Sequence, residues 1–159
     1  MNKLFLFTDG SVNTKTKTGY GAFLAVFDLS MSIDEYKSNI PVKRFENTSS
    51  TKLELQILIW ALNEIKSKED KITVFTDSQN ILGLPKRRVR FEKNNYLSKQ
   101  NKLLKNHELY KEFFKITDEI KCEFIKLDGH MPSRNKSNID KLFTLVDRAS
   151  RNALRNHVP

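Results

Sequence analysis

The sequence predicts an α/β fold: a mixed five-stranded sheet, three antiparallel strands and then parallel ones, flanked by helices. Three observations predict it. Short apolar and aromatic runs recur along the 159 residues. The first three follow one another with no helical stretch between them, which reads as a meander of antiparallel pairs. The remaining runs alternate with stretches whose apolar residues repeat every three and four positions, so helices pack on the sheet.

The first strand is read over residues 3–8, where Leu4-Phe5-Leu6-Phe7-Thr8 is apolar and aromatic and runs into Asp9-Gly10-Ser11. Residues 12–18 form a polar loop. Residues 19–27 give a second strand, and a loop around residues 30–36 leads to a third near residues 41–45. Asn47-Thr48-Ser49-Ser50 offers helix N-cap candidates. The helix that follows runs over about residues 50–66, through Leu53, Ile57, Trp60, Ala61 and Ile65. Residues 71–76 form a fourth strand, residues 78–84 a short helix, and a long polar and basic stretch comes next. A helix near residues 107–116, a fifth strand at residues 121–127 and a last helix at residues 137–155 complete the order. The last helix carries Ile139, Leu142, Phe143, Val146, Ala149 and Ala153 on one face.

No repeat, linker or low-complexity tail divides the chain, and its length suits a single domain over residues 1–159. No run is long and apolar enough for a membrane span, and the N-terminus meets Asp9 too early for a signal peptide. A cytoplasmic monomer is expected. Cys122 is the one cysteine, which excludes intrachain disulfides and cysteine-based zinc sites and suits a buried, inert thiol. The net charge of +9 favours a polyanionic partner, most simply nucleic acid.

Four carboxylates fall in a pattern. Asp9 and Asp77 each end an apolar run, Glu54 opens a helix, and a fourth follows Gly129-His130, where Asp140 and Asp147 compete. Taken singly, Asp9 before Gly10-Ser11 is an ordinary turn residue and Asp77 before Ser78 an ordinary helix cap. Glu54 amid Leu53, Leu55 and Ile57 is harder to explain structurally. Carboxylates at strand ends beside a helix converge at one sheet edge, and such a cluster repels itself unless divalent cations neutralise it.

Phe7-Thr8-Asp9-Gly10-Ser11, Leu53-Glu54-Leu55, Phe75-Thr76-Asp77-Ser78 and Gly129-His130 followed by a helical aspartate resemble type 1 ribonuclease H over nearly the whole chain. The resemblance implies a ribonuclease H-like fold and hydrolysis of the RNA strand of an RNA–DNA hybrid with two Mg²⁺ ions, Mn²⁺ being an alternative. It implies that Asp9 bridges the metals, Glu54 holds one and faces the scissile ribose, and Asp77 binds the other. The fourth aspartate completes a shell. His130, in a loop with Arg134 and Lys136, assists the leaving group or product release. Ten residues separate His130 from Asp140, the spacing familiar in the family. Ala149, Ser150 and Ala153 after Asp147 let a helix sit close to the sheet, whereas Leu142 and Phe143 after Asp140 are bulky. The steric argument favours Asp147, with Asp140 the alternative and the loser a solvent-facing helix residue.

Lys86, Arg87, Arg88, Arg90, Lys93, Lys99, Lys102 and Lys105 crowd residues 86–105 with Phe91 and Tyr96 among them. By resemblance this is a basic substrate-binding protrusion gripping DNA phosphates. Ser11, Asn13, Thr14, Lys15, Thr16 and Lys17 are candidates for backbone contacts near the carboxylates. Where the family often carries an asparagine pair that reads ribose 2′-hydroxyls, this chain has Ser50 and Thr51. No separate hybrid-binding module is expected ahead of the first strand. The other readings are a related nuclease acting on DNA, which would not need the 2′-hydroxyl, and a non-catalytic basic nucleic-acid-binding domain. The intact carboxylate set argues against the second.

Overall fold

The computed structural model describes residues 3–30, 32–37, 39–65, 71–127 and 137–157. Its elements run β1 (Lys3–Asn13), β2 (Thr18–Val26), β3 (Val42–Phe45), α1 (Ser50–Ile65), β4 (Lys71–Thr76), α2 (Gln79–Lys93), α3 (His107–Glu119), β5 (Cys122–Lys126) and α4 (Asn138–Arg155), with a short 3-10 helix, Ile33–Glu35, before β3. The sheet order is β3-β2-β1-β4-β5. β1 pairs antiparallel with β2, and β2 antiparallel with β3. On its other side β1 pairs parallel with β4, and β4 parallel with β5. This is the mixed sheet expected, with β1 at its centre. Among the described residues no helix is long and apolar enough to cross a membrane.

Strand alternation sorts the core into two layers. Leu4 and Leu6 pack with Leu55, Leu58 and Leu62 of α1, Ile81 of α2 and Phe113 of α3. Phe5 and Phe7, one residue out of phase, pack with Phe75 and with Leu142, Leu145 and Val146 of α4. Each fully buried leucine or phenylalanine here is worth roughly 1.5–3 kcal/mol of transfer free energy. Phe7 and Phe75 are register partners across the parallel pair, and their rings stack with centroids 5.0 Å apart. Two residues beyond Phe7 and Phe75 come Asp9, still within β1, and Asp77, just past the end of β4.

Gly10 and Gly21 are cross-strand partners beneath α1. A Cβ on Gly10 would stand 2.5 Å from Ile57 Cδ1 and 2.9 Å from Leu53 Cδ2, and one on Gly21 would collide with Ile57 as well. The helix therefore rests on bare backbone, nearer the sheet than side chains there would allow. Ser49 caps it, accepting from Lys52 N at 3.3 Å.

The expected elements are all present, and three boundaries differ by more than a residue. β1 continues through Asn13, because its outer residues remain paired as far as Asn13 with Thr18. α3 runs on to Glu119. The largest difference is α2, which does not stop at residue 84 but continues to Lys93 through Pro85. Proline removes one helical hydrogen bond and crowds the preceding turn. Burial of Ile81, Leu84 and Phe91 spans the interruption, and Arg88 grips Asp118 of α3 with two bonds of 2.5 and 2.7 Å. Lys86, Arg87, Arg88 and Arg90 thus stand on a helix rather than in a loop, and residues 94–106 form a hydrogen-bonded lobe beyond it. Cys122 is half-buried, and burial pushes its thiol up to about 11, which keeps it protonated and inert.

Candidate active site

Thr8, Asp9 and Gly10 of β1, Glu54 of α1, and Thr76, Asp77 and Ser78 after β4 line one cleft at the C-terminal edge of the parallel strands. Three elements remote in sequence deliver three carboxylates to it. α4 delivers the fourth from the opposite face, where the carboxyl group of Asp147 hydrogen-bonds that of Asp9. The Asp9 carboxyl is pushed up to about 8. Burial is the largest cause, followed by that hydrogen bond and by the negative charges of Asp147 and Asp77, while the Gly10 amide opposes them. The stacked Phe7–Phe75 pair explains the desolvation: the carboxyl emerges from an apolar floor.

Glu54 is held above the usual carboxylate range, first by burial and then by the charge of Asp77, with a Ser78 hydrogen bond pulling the other way. Ser78 Oγ donates to Glu54 Oε2 at 2.6 Å and accepts from Ile81 N at 3.2 Å as the cap of α2. Its own amide donates to Thr76 Oγ1 at 3.1 Å. One buried serine therefore starts α2 and orients Glu54 in the cleft. Asp77, between Thr76 and Ser78, is exposed while both neighbours are buried.

Asp147 is steadied from its own helix. Arg151 Nε lies 2.9 Å from its Oδ1. Ser150, wholly buried, donates to the Asp147 carbonyl at 3.0 Å and meets Ser11 Oγ of β1 at 3.3 Å. The small residue at position 150 is what lets α4 touch the strand. Asp140 is occupied elsewhere: its carboxylate accepts from Ser137 N at 3.1 Å and Ser137 Oγ at 2.9 Å, closing a capping box at the start of α4. It is an end-stop of the helix and half-buried. Seven residues put it on the same flank as Asp147 but about 10 Å further back along the axis. Nor is bulk after Asp140 an obstacle in itself, since Leu142 is fully buried against the sheet.

Other candidates separate. Ser11, two residues beyond Asp9 on β1, meets Ser150 of α4. Asn13 is used by the β1–β2 turn, where its Oδ1 accepts from Lys15 N at 2.9 Å and Thr16 N at 3.3 Å. Lys15, Thr14, Thr16 and Lys17 are exposed around it, and Ser50 and Thr51 are exposed in the first turn of α1. Arg88 bonds both Asp118 and Glu92, so its charge is answered inside the molecule. Arg87 Nη1 donates to Asn80 Oδ1 at 3.2 Å, Arg90 lies over the Phe91 ring, and Lys86 is exposed. His130, Arg134 and Lys136 lie outside the described residues. The sequence singles out Ser150 as a small residue that lets the helix approach, but not the roles of Ser78, Arg151 or the Gly10–Gly21 pair. A serine directly after a strand-end aspartate is a visible cap signal; the others depend on register and docking.

The family model described as RNase H matches residues 1–148. Ribonuclease H of a Thermoanaerobacter species is 27% identical over 113 residues, covering 70% of this chain and 71% of that protein. Ribonuclease H of Clostridium botulinum is 24% identical over 144 residues, covering 89% and 93%. Among solved structures, LC9-RNase H1, a type 1 RNase H with the type 2 active-site motif, superposes with a TM-score of 0.72 at 15% identity, covering 99% of this chain and 74% of that one. Prototype Foamy Virus Protease-Reverse Transcriptase superposes with a TM-score of 0.73 at 17% identity over 98% of this chain, which spans 21% of the viral one. At such identities the structural likeness speaks for the fold alone.

Proposed function

The chain belongs to the RNase H family, and from that premise we propose that it is an endoribonuclease that hydrolyses the RNA strand of RNA–DNA hybrids, using two Mg²⁺ ions held by Asp9, Glu54, Asp77 and Asp147. The observation that carries the proposal is the gathering of these carboxylates in one cleft, where burial first, and then the contact with Asp147 and the charges of Asp147 and Asp77, lift Asp9 to about 8. A cleft that must hold protons on its acids to relieve repulsion suits cations in their place. The donors are hard oxygens, the kind Mg²⁺ selects.

Among the described residues no three of His, Cys, Asp or Glu already stand close enough to share one ion. Mg²⁺ keeps several waters and takes one or two carboxylates directly, so the proposal rests on pairs. The interacting pairs available are Asp9 with Asp147, Asp9 with Asp77 and Glu54 with Asp77. When bound, paired divalent cations lower the pKa of water and neutralise charge on the phosphodiester in displacement.

The chain's own residues do the rest. Asp9, common to two of the pairs, ties them together from the central strand. Ser78 keeps Glu54 aimed into the cleft. Arg151 holds the Asp147 carboxylate from its own helix, beside Asp9. On α2 the exposed Lys86 and Arg90, with the half-buried Arg87 between them, supply the electrostatic grip on backbone phosphates.

The deciding experiment is cleavage of labelled hybrid, duplex DNA, duplex RNA and single strands, with and without Mg²⁺. The expected result is Mg²⁺-dependent cleavage of the RNA strand of the hybrid only, abolished by Asp9→Asn with hybrid binding retained. Cleavage of duplex DNA, or activity of Asp9→Asn within about tenfold of the parent, overturns the assignment, because loss of a group shared by two ions costs several kcal/mol of transition-state stabilisation.

A further inference from the structure

The lobe between α2 and α3 contains a cavity of about 640 Å³ with no part in the hydrolytic site. Phe91, Leu97 and Leu104 give it apolar lining, Asn94 and Asn101 contribute amides, and Arg90 and Lys99 contribute positive charge. The volume lies within the range of about 300–1,000 Å³ that suits small organic ligands, well beyond what a lone phosphate fills.

The lobe is built to keep this shape. Tyr96 N donates to Phe91 O at 2.8 Å, Leu104 N to Tyr96 O at 2.8 Å, and Ser98 N to Lys102 O at 2.7 Å, while Leu97 and Leu103 form a β-bridge. Three residues that are not glycine, Asn95, Tyr96 and Asn101, hold left-handed backbone, with φ of 51°, 60° and 59°. Asparagine tolerates that conformation and tyrosine does not favour it. Tyr96 is held there by burial, its ring 6.0 Å from that of Phe91. Strain kept in an ordered loop around a cavity is the pattern of a preformed site.

We propose that this cavity binds one unpaired nucleotide of a nucleic-acid strand running past the hybrid. The apolar lining takes the base, the amides meet its donor–acceptor edge, and Arg90 and Lys99 meet its phosphates. A double helix keeps its bases stacked inside and shows a protein only backbone and groove edges; an unpaired nucleotide can place base, sugar and phosphate in one cavity together. The inference rests on the nucleic-acid substrate proposed above, since it makes the lobe a second contact on the same polymer.

The test is fluorescence anisotropy of the whole protein in EDTA at fixed salt. Its probes are blunt hybrid, hybrid with a short DNA tail and hybrid with a short RNA tail. A tail of one or both kinds is expected to tighten binding by about tenfold, as for one base held by a protein; the two arms show which strand supplies it. The neutral double variant Asn94→Ala/Asn101→Gly, in which glycine keeps the left-handed position, should abolish the gain and leave affinity for blunt hybrid unchanged. Amide resonances of residues 94–104 should shift when a short single-stranded oligonucleotide is added to the unaltered protein. Tails that add nothing, a gain that survives the double variant, or unshifted resonances each overturn the proposal. A tail effect in a protein that cleaves no hybrid would leave this site standing while removing the hydrolytic reading, and cleavage without a tail effect would do the reverse.

Discussion

Asp9 and Asp147 share a hydrogen bond between two carboxyl groups, and such a bond exists only while one of them carries a proton. With Asp9 raised from 3.8 to about 8, the folded protein binds that proton more tightly than the unfolded chain does. Between these two values folding retains a proton that the unfolded state has released, so stability falls as pH rises. The metal-free protein is therefore expected to melt progressively lower from about pH 4 to pH 8, and Asp9→Asn to flatten that slope and to melt higher than the parent at pH 9. Each kcal/mol relieved corresponds to about 2–4 °C. A lower melting temperature for Asp9→Asn at pH 9 would refute the account.

Asp140 and Asp147 should fail in different ways. Asp147→Asn is expected to lose hybrid cleavage while folding normally. Asp140→Ala removes a capping box and should cost about 0.5–2 kcal/mol of stability with cleavage rates per folded molecule unchanged. Rates of both variants at saturating Mg²⁺, beside their urea midpoints, check this; an inactive but stable Asp140 variant would reverse the assignment.

Gly21→Ala places a methyl group against Ile57. The expected cost is about 1–3 kcal/mol, typical of an overpacked core, and cleavage should fall with it, because α1 carries Glu54. Ile57→Ala, which removes the Cγ1 and Cδ1 atoms that the methyl would meet, should make the pair of changes cost less than the sum of the two singly. A double-mutant cycle with no coupling between positions 21 and 57 would show that the close approach of helix and sheet is not what the glycine provides.

Charge removal on α2 should divide by residue. Changing Lys86, Arg87 and Arg90 to glutamine is expected to reduce the slope of log affinity for hybrid against log salt by up to roughly 0.9 for each phosphate left without its cation. Arg88→Gln should leave the slope alone and loosen the α2–α3 junction, as its guanidinium already spans Asp118 and Glu92. A change in slope from Arg88→Gln would mean that substrate displaces its acidic partners.

These variants also show what the sequence could reveal. Strand runs such as Leu4–Phe7 are legible because a strand covered on both faces is apolar at every position, and Asp9 and Asp77 stand out by ending such runs. α2 reads too short because Pro85 is a local signal for stopping, whereas burial of Leu84 and Phe91 and the hold of Arg88 on Asp118 are tertiary. Gly10 and Gly21 acquire meaning only from a register that brings them face to face. Asp140 and Asp147 share a helix flank, so periodicity cannot separate them. Their height along α4 does, and that is set by Ser150 meeting Ser11 across 139 positions of sequence.

That span bears on how the protein is made. β1 is synthesised early, yet the helix that covers Phe5 and Phe7 is α4, which is synthesised after every strand. Until then one face of the central strand lacks its cover, and Asp9 has no Asp147 beside it. The carboxylate cluster is thus incomplete in any nascent chain that lacks α4. Arrested chains ending before and after residue 155, assayed for Mg²⁺-induced protection from protease, would show the site appearing in a single late step.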